Sequence, residues 1–444
     1  MIILIVIHIF LLSNLQFTAW PEMLSFSYMI DNGFVIYKDF HHVYQPLLTF
    51  TLLSFFKIFG FNIISLKTFT YILIALTDLF VFLNVKKLTD KQSLPLRGKN
   101  NLSIFTLSLY VLLQPIFDGN MLWYDIAVIL PVLISIYYID VNLFVSGFFI
   151  AIAFLTKQQA ILIGLPIFIY LLISKIKFKD IIKFGYGCIT PIIFLVLFLY
   201  KFDLFPDYLF WTFEFPLIHL PNIDGYAVSP NSRELVILGM MVVSLIVGII
   251  TNYKKLNSKF YLLLSILFFL ILSAFPRFSL FHLQPALAIY VLIIGYLFSL
   301  RNKYFILLLI PVFLMWKNVL VTAKYEDRFY TQSDVNTASE IKNRSKDSQI
   351  YLLGPSSIEY VLSSTVPPKP WIENYVWHFE MPGMQEKMIE GWKVAPPQYI
   401  YWSIPQSGNW YDLGTYQPKE VVKYIKDNYQ KIDQQENIEI WKLQ

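Results

Sequence analysis

WPEMLSFSYMIDNGFVIYKDFHHVYQPLLTFTLLSFFKIFGFN occupies residues 20–62 of the 444-residue chain and follows a short apolar segment. It combines carboxylates, two histidines, aromatic side chains and a proline. The whole chain is 56% hydrophobic and 18% aromatic, which is too apolar for a soluble globular protein of this length. The sequence therefore predicts a membrane protein whose chemistry lies in residues 20–62.

Apolar segments long enough to cross a bilayer recur from residue 2 to residue 320. A helix needs about 20 residues to cross about 30 Å of hydrocarbon. The first segment lacks a basic start and an A-x-A cleavage site, so we interpret it as a retained anchor. We predict membrane helices over residues 2–18, 64–84, 102–117, 122–139, 142–156, 158–174, 184–200, 234–251, 260–275, 281–299 and 304–320, which makes eleven helices.

The basic residues decide the predicted orientation. Residues 46–61 are apolar but short, and we interpret them as a helix lying in the membrane interface within a first outer loop, 19–63. With that choice every lysine-rich loop faces one side, which the positive-inside rule makes cytoplasmic. The N-terminus is then cytoplasmic. The residues concerned are Lys86, Lys87, Lys91, Arg97, Lys99, Lys175, Lys177, Lys179, Lys183, Lys254, Lys255, Lys259, Arg301 and Lys303.

The composition changes after residue 320. Residues 321–444 carry polar and charged residues in ordinary soluble proportions, so we predict a membrane domain over 1–320 and a small extracytoplasmic α/β domain over 321–444. Capping residues, prolines and apolar alternation predict helices and strands in turn. The predicted elements are helices near 333–344, 355–363 and 419–429, and strands near 349–354, 398–404 and 438–443.

Glu22 is the candidate functional carboxylate with the clearest signal. It directly follows Trp20 and Pro21 at the end of a membrane segment, and no cation lies near it in sequence. Carboxylates near membrane depth are costly and call for a reason. Outer-loop polarity is a sufficient reason for Asp203, Asp207 and Asp224, and the aromatic run 205–215 is typical of an interfacial belt.

The sequence motifs of several other classes of protein are absent from this chain. The chain has no Walker loop, no G-x-G-x-x-G after a strand, no G-x-S-x-G and a single cysteine, Cys188, which excludes an intramolecular disulfide. The basic residues form no nucleic-acid-binding stripe despite the net charge of +5. Asp39, His41 and His42 are candidate metal ligands, although no H-x-x-x-H spacing supports them. A non-catalytic lipid or glycan transporter or an envelope scaffold stays the alternative to an enzyme.

A set of motifs resembles the GT-C superfamily of polytopic glycosyltransferases, in particular its protein-mannosyltransferase and aminoarabinose-transferase type. The motifs are an acid early in the first outer loop, a Gly-x-x-x-Tyr-(Arg/Lys)-Asp-Phe element, a Pro-Leu that opens an interfacial helix and a Phe-Gly that ends it. Further along come an acid after aromatics, a Leu-Thr-Lys element and a His-aromatic-x-x-Pro turn. Their counterparts here are Glu22, 33–40 (GFVIYKDF), 46–47, 59–60, 123–125 (WYD), 155–160 (LTKQQA) and 277–288 (RFSLFHLQPALA).

The resemblance implies a GT-C-like helical membrane fold and transfer of a sugar from a polyprenyl-phosphate donor to an extracytoplasmic protein, lipid or glycan acceptor, with inversion. Such a transfer needs a base for the acceptor hydroxyl and cations for the lipid phosphate that leaves. The base is Glu22 or Asp39, because many members have Asp-Glu where this chain has Pro21-Glu22. The substrate-binding candidates are Tyr44, Gln45, Lys67, Asp125, Lys157, Arg277 and His282.

One departure concerns the donor phosphate. Some members carry a lysine directly before the proline of the Pro-Leu motif, and this chain has Gln45 there. The resemblance therefore implies that the phosphate-binding cation comes from elsewhere in the chain. A divalent metal ion is a candidate cofactor, and membrane lipids are expected partners.

Overall fold

The computed structural model describes residues 1–88, 96–174, 176–300, 304–345, 348–404, 413 and 415–444. Four of the predicted cytoplasmic cations, Lys91, Lys175, Arg301 and Lys303, lie outside the described residues. The α-helices in chain order are α1 (Ile2–Ser13), α2 (Glu22–Asp31), α3 (Leu47–Phe59), α4 (Ile63–Leu88), α5 (Leu96–Leu113), α6 (Tyr124–Tyr138), α7 (Leu143–Thr156), α8 (Ile161–Ile173), α9 (Phe178–Lys201), α10 (Phe205–Leu209), α11 (Ser232–Asn252), α12 (Ser258–Leu272), α13 (Gln284–Phe298), α14 (Ile310–Phe313), α15 (Trp316–Thr322), α16 (Gln332–Ser345), α17 (Ile358–Ser363), α18 (Val376–Phe379), α19 (Met384–Val394) and α20 (Lys419–Asn428).

Short non-α turns and four strands complete the described part of the chain. A π-helix spans Phe210–His219, and 3₁₀ turns span Gln114–Phe117, Gln158–Ala160, Leu220–Asn222, Tyr253–Lys255, Leu280–Leu283 and Tyr304–Leu309. The strands are β1 (Ile350–Leu353), β2 (Tyr399–Ser403), β3 (Tyr429–Gln435) and β4 (Ile438–Leu443), in the sheet order β1-β2-β4-β3. Only β1 and β2 run parallel, and the other neighbours are antiparallel.

The helical membrane fold expected from composition is confirmed. Six helical segments in the described part of the chain are long and apolar enough to cross a bilayer: Ile63–Leu88, Asn100–Phe117, Phe178–Lys201, Ser232–Lys255, Leu280–Phe298 and Tyr304–Thr322. Six shorter apolar helices accompany them, α3 among them. The total of eleven spans therefore stays a prediction. The first helix ends at Ser13 and not at residue 18.

The residues fall into two compact units by their contacts. The first unit contains Met1–Phe17, Lys67–Phe198 and Ala227–Glu326, and the second contains Thr18–Leu66, Leu199–Tyr226 and Asp327–Gln444. The predicted division into 1–320 and 321–444 stays a prediction. Each contact unit is built from three separate segments and does not correspond to either predicted domain. The second unit joins the first outer loop to the C-terminal segment, for example through the amide of Ala19, which donates to the Arg328 carbonyl at 2.9 Å.

Helix α13 is the centre of the first unit. Nearly all of its side chains are buried, and it packs against α5, α6, α11 and α12. A helix that is apolar on every side needs neighbours on every side, which is the pattern of a buried membrane helix. The 3₁₀ turn Leu280–Leu283 leads directly into α13 and places His282 at its start.

Helices α7 and α9 touch backbone to backbone where each has a glycine. A Cβ added to Gly147 would lie 2.1 Å from the Phe184 carbonyl oxygen, and one added to Gly187 would lie 2.1 Å from the Phe144 carbonyl oxygen. Small residues allow this close approach between membrane helices. The crossing fixes α7, which ends one residue before Lys157.

We predict that Gly187→Ala destabilises the protein by about 1–3 kcal/mol, because the added methyl overpacks the crossing. Gly185→Ala on the same helix is the matched control, since a Cβ there meets open space. This second variant is expected to be neutral or up to about 1 kcal/mol more stable, because alanine favours helix more than glycine does. Thermal unfolding in detergent compares the two, and equal midpoints would contradict the crossing.

Helices α2 and α19 and strand β3 are among the elements that were not predicted from the sequence. Helix α2 was interpreted as loop, although Pro21 followed by Glu22 is a typical helix start. Helix α19 was also not predicted. Strand β3 reads YQKIDQQ and is mostly exposed, because it lies at the edge of the sheet and needs no apolar face.

Candidate active site

Glu22 opens helix α2 in the second unit. Pro21 precedes it, and the position at the first turn places the carboxylate where the helix dipole favours negative charge. Its side chain is buried, with 4% of the residue exposed. Oε1 accepts a hydrogen bond from the Tyr375 hydroxyl, and Oε2 has no hydrogen-bond partner among the described residues.

Glu373 is a second buried carboxyl in the same unit, and the sequence did not indicate it. Its Oε1 accepts from the amide of Asn374 at 3.1 Å, and its Oε2 has no hydrogen-bond partner in the described part of the chain. Burial, and then the charge of Glu373, raise the pKa of Glu22 to about 8. Burial raises the pKa of Glu373 to about 7, against hydrogen bonds from Ser357 and Asn374 that lower it. Glu22 is therefore a much stronger base than an exposed glutamate.

Aromatic rings surround this carboxyl pair. His41 stacks on Trp211 with 4.0 Å between ring centroids, and Tyr375 stacks on Trp377 at 5.1 Å. Trp211 is buried at 4% exposure, so the prediction of an interfacial belt was wrong for this residue. Burial lowers the pKa of His41 well below its usual value, and lowers the pKa of His378 to about 3. Both imidazoles are therefore neutral at physiological pH.

His42 is held by its neighbours on both ring nitrogens. Nδ1 bonds the Tyr44 carbonyl at 2.8 Å and Nε2 bonds the Thr49 hydroxyl at 2.9 Å. No group of three or more His, Cys, Asp or Glu side chains within the described ranges is arranged to hold a metal ion. A metal site at His41 and His42 stays a prediction.

Asp39 braces a turn. Its Oδ2 accepts from the amide of Val35 at 2.9 Å and pairs with Lys369 Nζ at 2.8 Å. Gly33 and Tyr37 in this turn have positive φ, of 83° and 70°. Oδ2 of Asp39 already accepts a backbone hydrogen bond and forms an ion pair, so the geometry favours Glu22 over Asp39 as a base.

Gln45 and Tyr44 lie in the second unit with Glu22. Gln45 is fully buried, and its Oε1 accepts from the Tyr208 hydroxyl at 3.0 Å. Its Nε2 has no acceptor among the described residues, so it carries a buried donor that a phosphate or sugar oxygen would satisfy. The Tyr44 carbonyl accepts from the Tyr37 hydroxyl at 2.9 Å and fixes the turn before Pro46.

In the first unit, three predicted site residues meet in one buried cluster. Asp125 lies in the first turn of α6, Lys157 directly follows α7, and His282 lies in the turn before α13. Asp125 Oδ1 is 2.5 Å from Lys157 Nζ, and Asp125 Oδ2 is 2.9 Å from His282 Nδ1. We call these three residues the Asp125 cluster. A buried charge pair with good hydrogen bonds is stable only while both partners are present.

Two further predicted cations also lie in the first unit. Arg277 pairs with Val228 in an isolated β-bridge and interacts electrostatically with His282. Lys67 lies in α4, where its ammonium group is 5.5 Å from the centroid of the Phe17 ring. The geometry thus places Arg277 beside the Asp125 cluster and gives Lys67 a cation–π contact.

Comparisons with known proteins find a family match over part of the chain and similar solved structures. The sequence model of the family described as dolichyl-phosphate-mannose-protein mannosyltransferase matches residues 44–200. The solved structure of ArnT from Cupriavidus metallidurans in the apo state aligns with a TM-score of 0.50 and 12% identity, over 99% of this chain and 97% of that chain. The chain is therefore similar to GT-C membrane glycosyltransferases in the sequence of residues 44–200 and in its fold.

Two other solved structures align less well with this chain. ArnT from Cupriavidus metallidurans bound to undecaprenyl phosphate has a TM-score of 0.48 and 11% identity, over 99% of this chain and 96% of that one. The Archaeoglobus fulgidus oligosaccharyltransferase in complex with Zn and sulfate has a TM-score of 0.47 and 10% identity, over 86% of this chain. The chain spans 63% of the length of that oligosaccharyltransferase. A search of curated proteins finds no match.

Proposed function

We propose that this chain is a GT-C glycosyltransferase that transfers a sugar from a polyprenyl-phosphate donor to a hydroxyl-bearing acceptor outside the cytoplasm, with inversion at the anomeric carbon, and that Glu22 is the base. The observation that carries the proposal is a buried carboxyl with a raised pKa and one oxygen without a partner among the described residues. The description of the matching family, which names a sugar on a lipid phosphate, supports the donor class.

The proposed step forms one bond to the anomeric carbon and breaks another. The acceptor oxygen forms a bond to the anomeric carbon while its proton passes to the Glu22 carboxylate. The bond from that carbon to the phosphate oxygen breaks, and the electron pair leaves with the lipid phosphate. A base within hydrogen-bond reach typically contributes about 10²–10⁴-fold to such a step.

The leaving phosphate needs positive charge or hydrogen-bond donors in a partly dry environment. Our candidates are Lys157 and His282 of the Asp125 cluster, together with Arg277. Asp125 holds His282 through Nδ1, which leaves the Nε2 side of the ring for another partner. The Asp125 carboxylate compensates the buried Lys157 charge until the phosphate arrives.

The second unit supports the proposed orientation. Residues of the first outer loop and of the C-terminal segment contact each other within one unit, which supports a common side of the membrane for these two segments. The positive-inside rule favours the cytoplasm for the lysine-rich loops. We therefore propose an N-terminus in the cytoplasm and a C-terminal segment outside it.

A transfer assay tests the function. Purified protein is incubated with undecaprenyl phosphate that carries a radiolabelled hexose or pentose, together with cell-envelope extract. We expect covalent label on an acceptor, and about 10²–10⁴-fold slower labelling with the Glu22→Gln variant. Label that crosses the bilayer of reconstituted vesicles without any covalent transfer would overturn the proposal in favour of a transporter.

A further inference from the structure

Glu22 and Glu373 lie far apart in the sequence, yet both carboxyls are buried in the second unit, at 4% and 7% exposure. Each keeps one oxygen, Oε2, without a hydrogen bond from the described residues. No ion pair in the described ranges includes either carboxyl: the cations Lys57 and Lys369 of this unit pair with Asp31 and Asp39. Two uncompensated negative charges in one buried region repel each other strongly.

Two hydrogen-bonded links fix the carboxyls relative to each other. Tyr375 donates its hydroxyl to Glu22 Oε1, and its amide donates to the Glu373 carbonyl at 2.7 Å. Ser357, which hydrogen-bonds the Glu373 side chain, is 3.2 Å from the hydroxyl of Ser25, one turn after Glu22 on α2. The segment around Glu373 is therefore docked on the helix that carries the proposed base.

We propose that Glu373 is a positioning residue for the reaction: its buried negative charge sets the pH at which Glu22 becomes the carboxylate that accepts the acceptor proton. This inference rests on the proposed function of Glu22. Once Glu22 has taken the proton of the acceptor hydroxyl, that proton leaves to solvent and Glu22 is a carboxylate again.

Other titratable groups on the elements around α2 do not replace Glu373. Burial raises the pKa of Glu359 well above its usual value, so this side chain is neutral. Burial lowers the pKa values of His42 and His378. Lys57 is exposed and paired with Asp31. The groups on the packed elements are Glu359 and Tyr360 on α17, Tyr375 and His378 in the segment 373–379, Lys57 on α3, Asp31 at the end of α2, and His42, whose ring lies against Phe26.

The test is the pH profile of kcat/KM for transfer. Burial and the Glu373 charge both raise the pKa of Glu22, so Glu373→Gln removes only the second cause. Without the repulsion from the Glu373 charge, the Glu22 carboxylate is more stable. The acid limb of the kcat/KM profile is therefore expected to move to lower pH by about 1 unit. Glu373→Asp keeps the charge and is expected to restore the limb. Glu359→Gln replaces another buried, neutral carboxyl and is expected to leave the limb in place.

Infrared titration of buried carboxyl bands keeps the test decisive if Glu373→Gln transfers too slowly to measure. The band that Glu22→Gln removes is expected to titrate at lower pH in Glu373→Gln than in the native protein. An acid limb or a Glu22 band at the native pH in Glu373→Gln would overturn the inference and leave the proposed function standing. Full transfer by Glu22→Gln would instead overturn the proposed function.

Discussion

The Glu22→Gln variant is expected to lose transfer by a factor of about 10²–10⁴, the usual contribution of a general base. The amide has the shape of the protonated carboxyl and can still accept from the Tyr375 hydroxyl. Folding is therefore expected to stay intact, because the native side chain is itself largely protonated near pH 7. Initial rates with the labelled lipid-linked sugar and unfolding midpoints in detergent measure the two effects separately.

Asp39→Asn is the matched variant for this prediction, because the sequence left Glu22 and Asp39 open as the base. The side-chain amide that this substitution introduces would keep an oxygen for the Val35 backbone but lose the charge that pairs with Lys369. That ion pair is partly exposed, so its loss is expected to cost about 1 kcal/mol or less and to leave most of the transfer rate. Loss of transfer in Asp39→Asn together with full transfer in Glu22→Gln would assign the base to Asp39.

The Lys157→Met variant is expected to destabilise the protein by about 3–5 kcal/mol, because it leaves the Asp125 carboxylate buried without its ammonium partner. Methionine keeps most of the length and the apolar stem of lysine, so the effect reports the charge. Unfolding by denaturant in detergent measures it. The same variant is expected to transfer poorly, since a cation proposed for the phosphate is gone.

A double variant separates the two roles of Lys157. Asp125→Asn combined with Lys157→Met removes both charges and is expected to recover most of the lost stability, as replaced buried pairs commonly do. Transfer is expected to stay low in the double variant. Recovery of both stability and transfer would show that the cluster only supports the fold.

The sequence predicted those parts of the fold that hydrophobic length encodes. Helices α4 and α9 follow directly from apolar runs that end in lysines or aromatic residues. The strand at Tyr399–Ser403 follows from its alternating pattern and apolar centre. The sequence did not reveal strand β3, because an edge strand with polar residues on both faces has no such pattern.

The site was predictable residue by residue but not as an arrangement. Asp125, Lys157 and His282 were each candidates, yet their meeting in one cluster is long-range packing between α6, α7 and α13 that no local pattern encodes. Glu373 was missed for a related reason. It lies in a segment of ordinary soluble composition, and only the structure shows that the segment is buried against α2.

The docking of residues 373–375 on helix α2 has a consequence for biosynthesis. Glu22 leaves the ribosome about 350 residues before Glu373 and Tyr375, which raise its pKa and bond its carboxyl. An incomplete chain thus carries a hydrated glutamate of ordinary acidity in the first loop. The proposed base thus acquires its raised pKa only after residues 373–375 have been made and have docked on α2, and we expect a shorter nascent chain to lack it.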